Sequence, residues 1–152
     1  MPITLIIGIL IVLAVLYGYE VLRKRGSKSM NEPSHSIEEL ESKVWLRGDT
    51  DSYVQLETAY LDAPPHDFLF WALYMANKYD YSAAYEDVYL SIAQDYYPID
   101  SALFKMDDKT RTFALTYLKL AAKKNDATAL ETLKEMKEKH FPTDWWEIDS
   151  TK

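Results

Sequence analysis

Hydrophobic positions divide the chain into one unbroken apolar run and a later series of short helical periods. Residues 1–19 carry no charge, and Ile3–Leu16 is almost continuous Ile, Leu and Val. At ~1.5 Å per residue the run reaches roughly 30 Å, the thickness of a bilayer's hydrocarbon core. It is predicted to be a retained transmembrane helix over residues 1–22. No polar face interrupts it, which argues against a buried core helix. No Lys or Arg precedes it, and its exit reads Tyr17-Gly18-Tyr19-Glu20 rather than Ala-x-Ala, which argues against a cleaved signal peptide. Ile3, Leu10 and Leu16 mark the body of this anchor, and Tyr17 and Tyr19 suit the headgroup level. Arg23, Lys24 and Arg25 follow at once, so the expected topology is single-pass, N-terminus outside and domain in the cytoplasm, at the inner membrane of a bacterial cell. Ala14 and Gly18 offer a small-xxx-small contact for a weak homodimer.

Residues 23–35 read as a basic and polar linker, with Gly26, Ser27, Ser29, Pro33 and Ser34. Residues 36–142 read as an all-α domain of about six antiparallel helices. Ser36 and Glu39 form a capping box, Ile37, Leu40 and Val44 share one face, and Gly48 is placed to stop the first helix. A second helix is expected over 52–61, capped by Thr50 or Asp51. Pro64-Pro65 breaks the chain, and Asp67 is expected to cap a third helix. Its stretch Phe68–Ala76 is uncharged and too short to span a membrane, so it is read as the central buried helix. In a fourth helix from Ser82, Ala84, Tyr85, Val88 and Ile92 are expected inward and Glu86 and Asp87 outward. A connection over 99–107 leads to a fifth helix capped by Asp108, and a sixth runs over 127–139. The tail, 143–152, carries Trp145-Trp146 and is expected to fold back onto the domain. No alternating strand pattern stands out.

Charge narrows the class of partner. The chain's net charge is −7, and setting aside Glu20, Arg23, Lys24, Arg25 and Lys28 leaves 13 basic against 23 acidic residues, or −10. Nucleic acid is an unsuitable partner for such a surface, because phosphate binding needs a basic face. Residues 32–100 hold 14 acidic and 3 basic residues, whereas residues 105–139 hold 9 basic and 6 acidic. The chain has no Cys, which excludes disulfides and thiolate metal sites.

The chemistry-bearing residue types form no catalytic or metal-binding motif. His35, His66 and His140 are isolated from one another, with no His-x-x-x-His spacing. Four Gly in the whole chain leave no phosphate loop, and no Gly-x-Ser-x-Gly elbow occurs. The pairs Glu86-Asp87 and Asp107-Asp108 point in different directions on a helix. No catalytic residue, metal ligand, cofactor or small-molecule substrate is expected. Tyrosine is the conspicuous residue: nine of twelve lie between Tyr53 and Tyr97, inside the acidic interval. Tyr53, Tyr60 and Tyr74 are read as core. Asp80, Tyr81, Asp87, Tyr89, Asp95, Tyr96, Tyr97 and Asp100 are the candidate partner-binding residues, with acids to steer a basic protein and tyrosines to give contact area.

A shift of 45 residues superposes the third helix on the fifth. Phe68 meets Phe113, Leu73 meets Leu118, Ala76 meets Ala121 and Ala84 meets Ala129. This period suggests an α-solenoid-like stack. Tyr117-Leu118-Lys119-Leu120-Ala121-Ala122, then Asn125-Asp126, then Ala129 and Leu133, resembles the second-helix signature of Sel-one-like repeats, relatives of tetratricopeptide repeats. The likeness covers Phe113–Met136 well and Phe68–Ile92 loosely, and the family's Gly-rich interhelical loop is missing over 96–107. The resemblance implies antiparallel helix pairs that bind proteins without catalysis. Some such proteins are immunity partners of secreted antibacterial toxins. The expected function is therefore a membrane-anchored, non-catalytic protein-binding domain, in its specific form an immunity protein. The alternative is a scaffold or assembly factor for an envelope complex.

Overall fold

A computed structural model describes residues 33–93 and 99–148, except for the side chains of Pro65, Ile99, Asp100 and Ser101. The described residues hold eight helices and no strand. They are α1 (Ile37–Arg47), α2 (Thr50–Tyr60), α3 (Pro65–Tyr79), α4 (Ser82–Ala93), α5 (Ile99–Lys105), α6 (Asp108–Lys123), α7 (Ala127–Glu138) and α8 (Thr143–Trp146). The longest, α6, has 16 residues, is interrupted by Lys and Arg, and reaches only about 24 Å. No described helix is long and apolar enough to cross a membrane. The expected architecture, a spanning helix followed by a repeat-like domain, is corrected on that ground to an all-helical domain. The expected span at 1–22, with Ile3, Leu10, Leu16, Tyr17, Tyr19, Arg23, Lys24 and Arg25, lies outside the described residues.

Short polar side chains start these helices. Ser36 Oγ accepts from the Glu39 amide at 3.2 Å, as the capping box predicts. Asp49 caps α2 through the Ser52 amide at 2.7 Å, in place of the expected Thr50 or Asp51. Asp107, not Asp108, caps α6, and Asp126 caps α7 through the amides of Thr128 and Ala129. The third helix begins at Pro65 with no side-chain cap, because a proline there supplies a preset φ and has no N–H to satisfy.

The ends use the left-handed region. Gly48 (φ 62°) stops α1, and a Cβ there would come within 2.4 Å of the Tyr79 ring. Gly48→Ala therefore combines left-handed strain with a clash against a partly buried ring. Its expected cost is about 2 kcal/mol in chemical denaturation, with the slope unchanged. Asp80 (φ 56°) ends α3 and Asn125 (φ 62°) follows α6, 45 positions apart, so two helical hairpins turn in the same way. Ala76, Ala84, Ala121 and Ala129 are all fully buried where the paired helices cross. The equivalence stops there: Phe68 is buried and Phe113 exposed.

The helix at the centre is α4, not α3. It packs on α3 on one side and α6 on the other, and nine of its twelve residues are buried. The hairpin α1–α2 lies beyond α3, and α7 and α8 lie beyond α6. The expectation that Glu86 and Asp87 face water is thereby corrected. A helix with neighbours on both sides has no polar stripe to spare, so its acids go inside with Tyr85, Val88 and Tyr89. Helix α3 instead splits its apolar run between two faces. Phe68, Trp71, Ala72, Met75 and Ala76 are buried, while Phe70 is exposed and Leu73 and Tyr74 are half-buried. Two short elements lie where no helical period was visible: α5 inside the expected connection, and α8 in the tail. Trp145 of α8 is buried against Phe104 and Phe141, with the Arg111 guanidinium 5.0 Å from its ring centroid.

Candidate functional site

Two features of the domain exceed what folding needs: a buried acidic centre and an exposed aromatic shelf. The acidic centre begins on α4, whose residues 86 and 87 diverge by about 100° around the helix axis. Asp87 points toward α2. Its Oδ2 accepts from the Tyr53 hydroxyl at 2.7 Å, with both groups buried. Burial pushes the Asp87 carboxyl up to about 7; the tyrosine hydrogen bond opposes this, and Glu57 and Asp126 add to it. Tyr53 is itself pushed far above the ordinary phenol range, first by burial and then by the Asp87 charge.

Glu86 turns toward the start of α7. It is 8% exposed, and its Oε1 has no hydrogen-bond partner among the described residues. Burial pushes it up to about 7 as well, with Asp126, the α7 cap, as the strongest neighbouring charge. Every named charge acting on Glu86 and Asp87 is negative. Such an arrangement disfavours the charged forms, so protons are only partly released at neutral pH.

The shelf is built by α1 and α3. Trp45 of α1 stacks on Tyr74 at 4.6 Å between ring centroids and 8° between planes. Phe70, one turn before Tyr74, adds a third near-parallel ring, 6.1 Å from Trp45 and 6.2 Å from Tyr74. Phe70 is 54% exposed and Trp45 48%. The Tyr74 hydroxyl donates to the Trp45 carbonyl at 2.6 Å and accepts from Lys78. The Lys78 ammonium lies 4.7, 5.2 and 5.8 Å from the ring centroids of Tyr74, Tyr79 and Trp45. Its bond to Tyr74 raises its pKa, so it is charged at neutral pH. Below Phe70 and Tyr74, Leu73 and Asn77 floor a shallow apolar hollow.

The sequence-selected residues do not form one face. Asp80 is exposed, but it is engaged by Lys124 at 2.6 Å and by the Tyr85 hydroxyl at 2.7 Å, a knot that ties the two hairpin turns together. Lys124, then Tyr85, hold its carboxyl below the usual range. Tyr81 is half-buried, edge-on to Tyr53 at 5.5 Å. Asp87 and Tyr89 are buried, and of Asp87 only a small part is exposed, at the edge of a cavity beside α2. Asp95, Tyr96 and Tyr97 lie outside the described residues, and Asp100 is placed only as backbone of α5. Of the tyrosines read as core, Tyr53 is fully buried, Tyr60 is half-buried, and Tyr74 belongs to the shelf. Trp45 and Phe70 were missed, although Phe70 and Tyr74 at i,i+4 share a strip turned about 100° from that of Trp71 and Met75. Among the described residues no group of three or more His, Cys, Asp or Glu is arranged to hold a metal ion.

Comparison with known protein families, curated proteins and solved structures gave no match. The Sel-one-like resemblance therefore rests on the residues quoted for it alone.

Proposed function

We propose that residues 33–148 form a non-catalytic protein-binding domain whose contact surface is the shelf of Trp45, Phe70 and Tyr74. The observation that carries this reading is the exposure of Phe70 and Trp45 in a stacked, pre-ordered trio. Large apolar groups brought together on a surface mark interaction sites, and Trp and Tyr dominate the energetics of protein contacts. Three rings held by one another and by the Trp45 carbonyl lose little freedom when covered. In its specific form the partner is a secreted antibacterial toxin, a form that comes from the resemblance of Phe113–Met136 and is tested by rescue of poisoned cells. The binding reading itself concerns the described domain and needs no membrane placement.

Photo-crosslinking in the native cell tests the surface. With p-benzoylphenylalanine in place of Phe70, a discrete protein adduct is expected. The same group at Leu130, an exposed residue of α7 outside the shelf, gives none. Equal labelling at both positions, or none at position 70, overturns the shelf as the contact surface.

A further inference from the structure

Beside the acidic centre, between α2, the turn before α3 and α4, lies a cavity of about 100 Å³. Its walls include Tyr60, Phe68 and Leu90, and its oxygens come from Glu57, Asp87 and Ser91. Asp87 is 9% exposed and Ser91 5%. Asp87 uses only Oδ2, toward Tyr53, so Oδ1 has no partner among the described residues. The Ser91 hydroxyl and the Glu57 carboxyl have none there either. Neither Asp87 Oδ1 nor Ser91 Oγ is a sealed, unsatisfied atom, and both residues line the cavity. Buried oxygens are normally paired, because an unpaired one costs roughly 1–3 kcal/mol. Three acceptors left open in one apolar-walled cavity describe a site for a compact donor.

We propose that this cavity receives the ammonium group of one lysine side chain of the protein partner, with Glu57 and Asp87 as its counter-charges and Ser91 Oγ as its third acceptor. The proposal rests on the protein-binding reading and names the chemistry of the partner. An ammonium supplies three donors on an unbranched apolar stem. The three oxygens match the donors, and the Tyr60, Phe68 and Leu90 side chains match the stem. The volume admits the end of one side chain and excludes a nucleotide or a folded loop. The domain's surplus of acid favours the approach of such a partner.

A proton competes with lysine for Asp87. The groups facing Asp87 are Tyr53 and Glu57 from α2, Tyr81 from the turn before α4, Glu86 from its own helix and Asp126 from the α7 cap. None of these is basic, so none replaces the partner's charge. Burial favours the neutral carboxyl, and entry of an ammonium displaces its proton. Affinity therefore rises as pH rises from 6 to 8.

The test titrates the full-length protein with Nα-acetyl-lysine N-methylamide, following the ¹³C carboxyl shifts of Asp87 and Glu57. Saturable shifts of both carbons are expected, with at least tenfold weaker binding at pH 6 than at pH 8. The norleucine analogue, which lacks the charge, should produce neither shift. Asp87→Asn should weaken binding at least tenfold, and Glu57→Gln, at a half-exposed position that does not threaten the fold, should weaken it severalfold. Trp45→Ala should leave lysine binding unchanged, so loss of the shelf contact and loss of the pocket read out separately. Equal shifts with the norleucine analogue, no saturable shift, or full affinity in both carboxyl variants overturns the proposal. So does saturation of the same carbons by Mg²⁺ at lower concentration than by the lysine amide.

Discussion

The thermal midpoint of the protein should fall by about 15 °C between pH 5 and pH 8.5. Two carboxyls drive this. Glu86 and Asp87 both lie near 7 in the folded chain, against ordinary values of 4.5 and 3.8. A carboxyl raised on folding contributes stability that is fully present below its unfolded value. That stability is lost as pH climbs through the folded value, here between about pH 4 and 7. Each tenfold change in a group's proton affinity is worth about 1.4 kcal/mol. The two groups share their burial and repel one another, so the pair amounts to something on the order of 4 kcal/mol, a large part of a small domain's stability. Acids held low behave oppositely: Glu39, Asp49 and Asp107 are stabilised as carboxylates by hydrogen bonds from Lys43, Ser52 and Thr110, and lose that support below pH 4. The optimum therefore falls near pH 4. Glu86→Gln should flatten the high-pH limb and raise the midpoint at pH 8.5, as read by calorimetry. A midpoint that rises or stays level from pH 5 to 8.5 contradicts the buried, proton-holding centre.

The largest single-residue effect is expected at Tyr53. It is the largest fully buried side chain among the described residues, with Phe68 at 5.3 Å and Tyr81 at 5.5 Å between ring centroids. Tyr53→Ala opens a cavity and strips Asp87 of its one donor among the described residues, at an expected cost of about 4 kcal/mol. Tyr53→Phe keeps the ring and removes the hydroxyl alone, and should cost about 2 kcal/mol at pH 8. Below pH 5 that cost shrinks, because a neutral Asp87 is the lesser burden, and its midpoint of titration moves upward without the phenol. Urea unfolding at the two pH values separates ring from hydroxyl. An equal loss for Tyr53→Phe at both would show that the hydroxyl does not act through Asp87.

Much of the helix ladder is legible in the amino acids because each start and stop carries its own local chemistry. Ser36 with Glu39, Gly48, Pro64-Pro65 and Asn125-Asp126 sit within a few residues of the boundaries observed. What is not legible is which helix lies in the middle. Phe68–Ala76 is the greasiest stretch outside residues 1–19, yet part of it faces outward as the shelf. The stretch of α4 that holds Glu86 and Asp87 is less apolar, yet it occupies the centre. Hydropathy along one helix cannot register that a phenol from α2 and a helix cap from α7 will stand opposite those acids. The same reason hid the burial of two of the candidate binding residues. A run of Asp and Tyr signals contact, but burial of Asp87 and Tyr89 is decided by helices far away in the chain. The shelf left one clue, that Phe68–Ala76 holds more large apolar side chains than one buried face of a helix takes up.

Because α4 touches both halves of the domain, its carboxyls belong to no hairpin by itself. A fragment lacking α1 and α2 would hydrate Asp87, and one ending before α7 would hydrate Glu86. Each acid would then titrate like a free amino acid in water. Protonation near neutrality is thus an emergent trait of the assembled stack, and loss of either flank would erase it before any secondary structure melted.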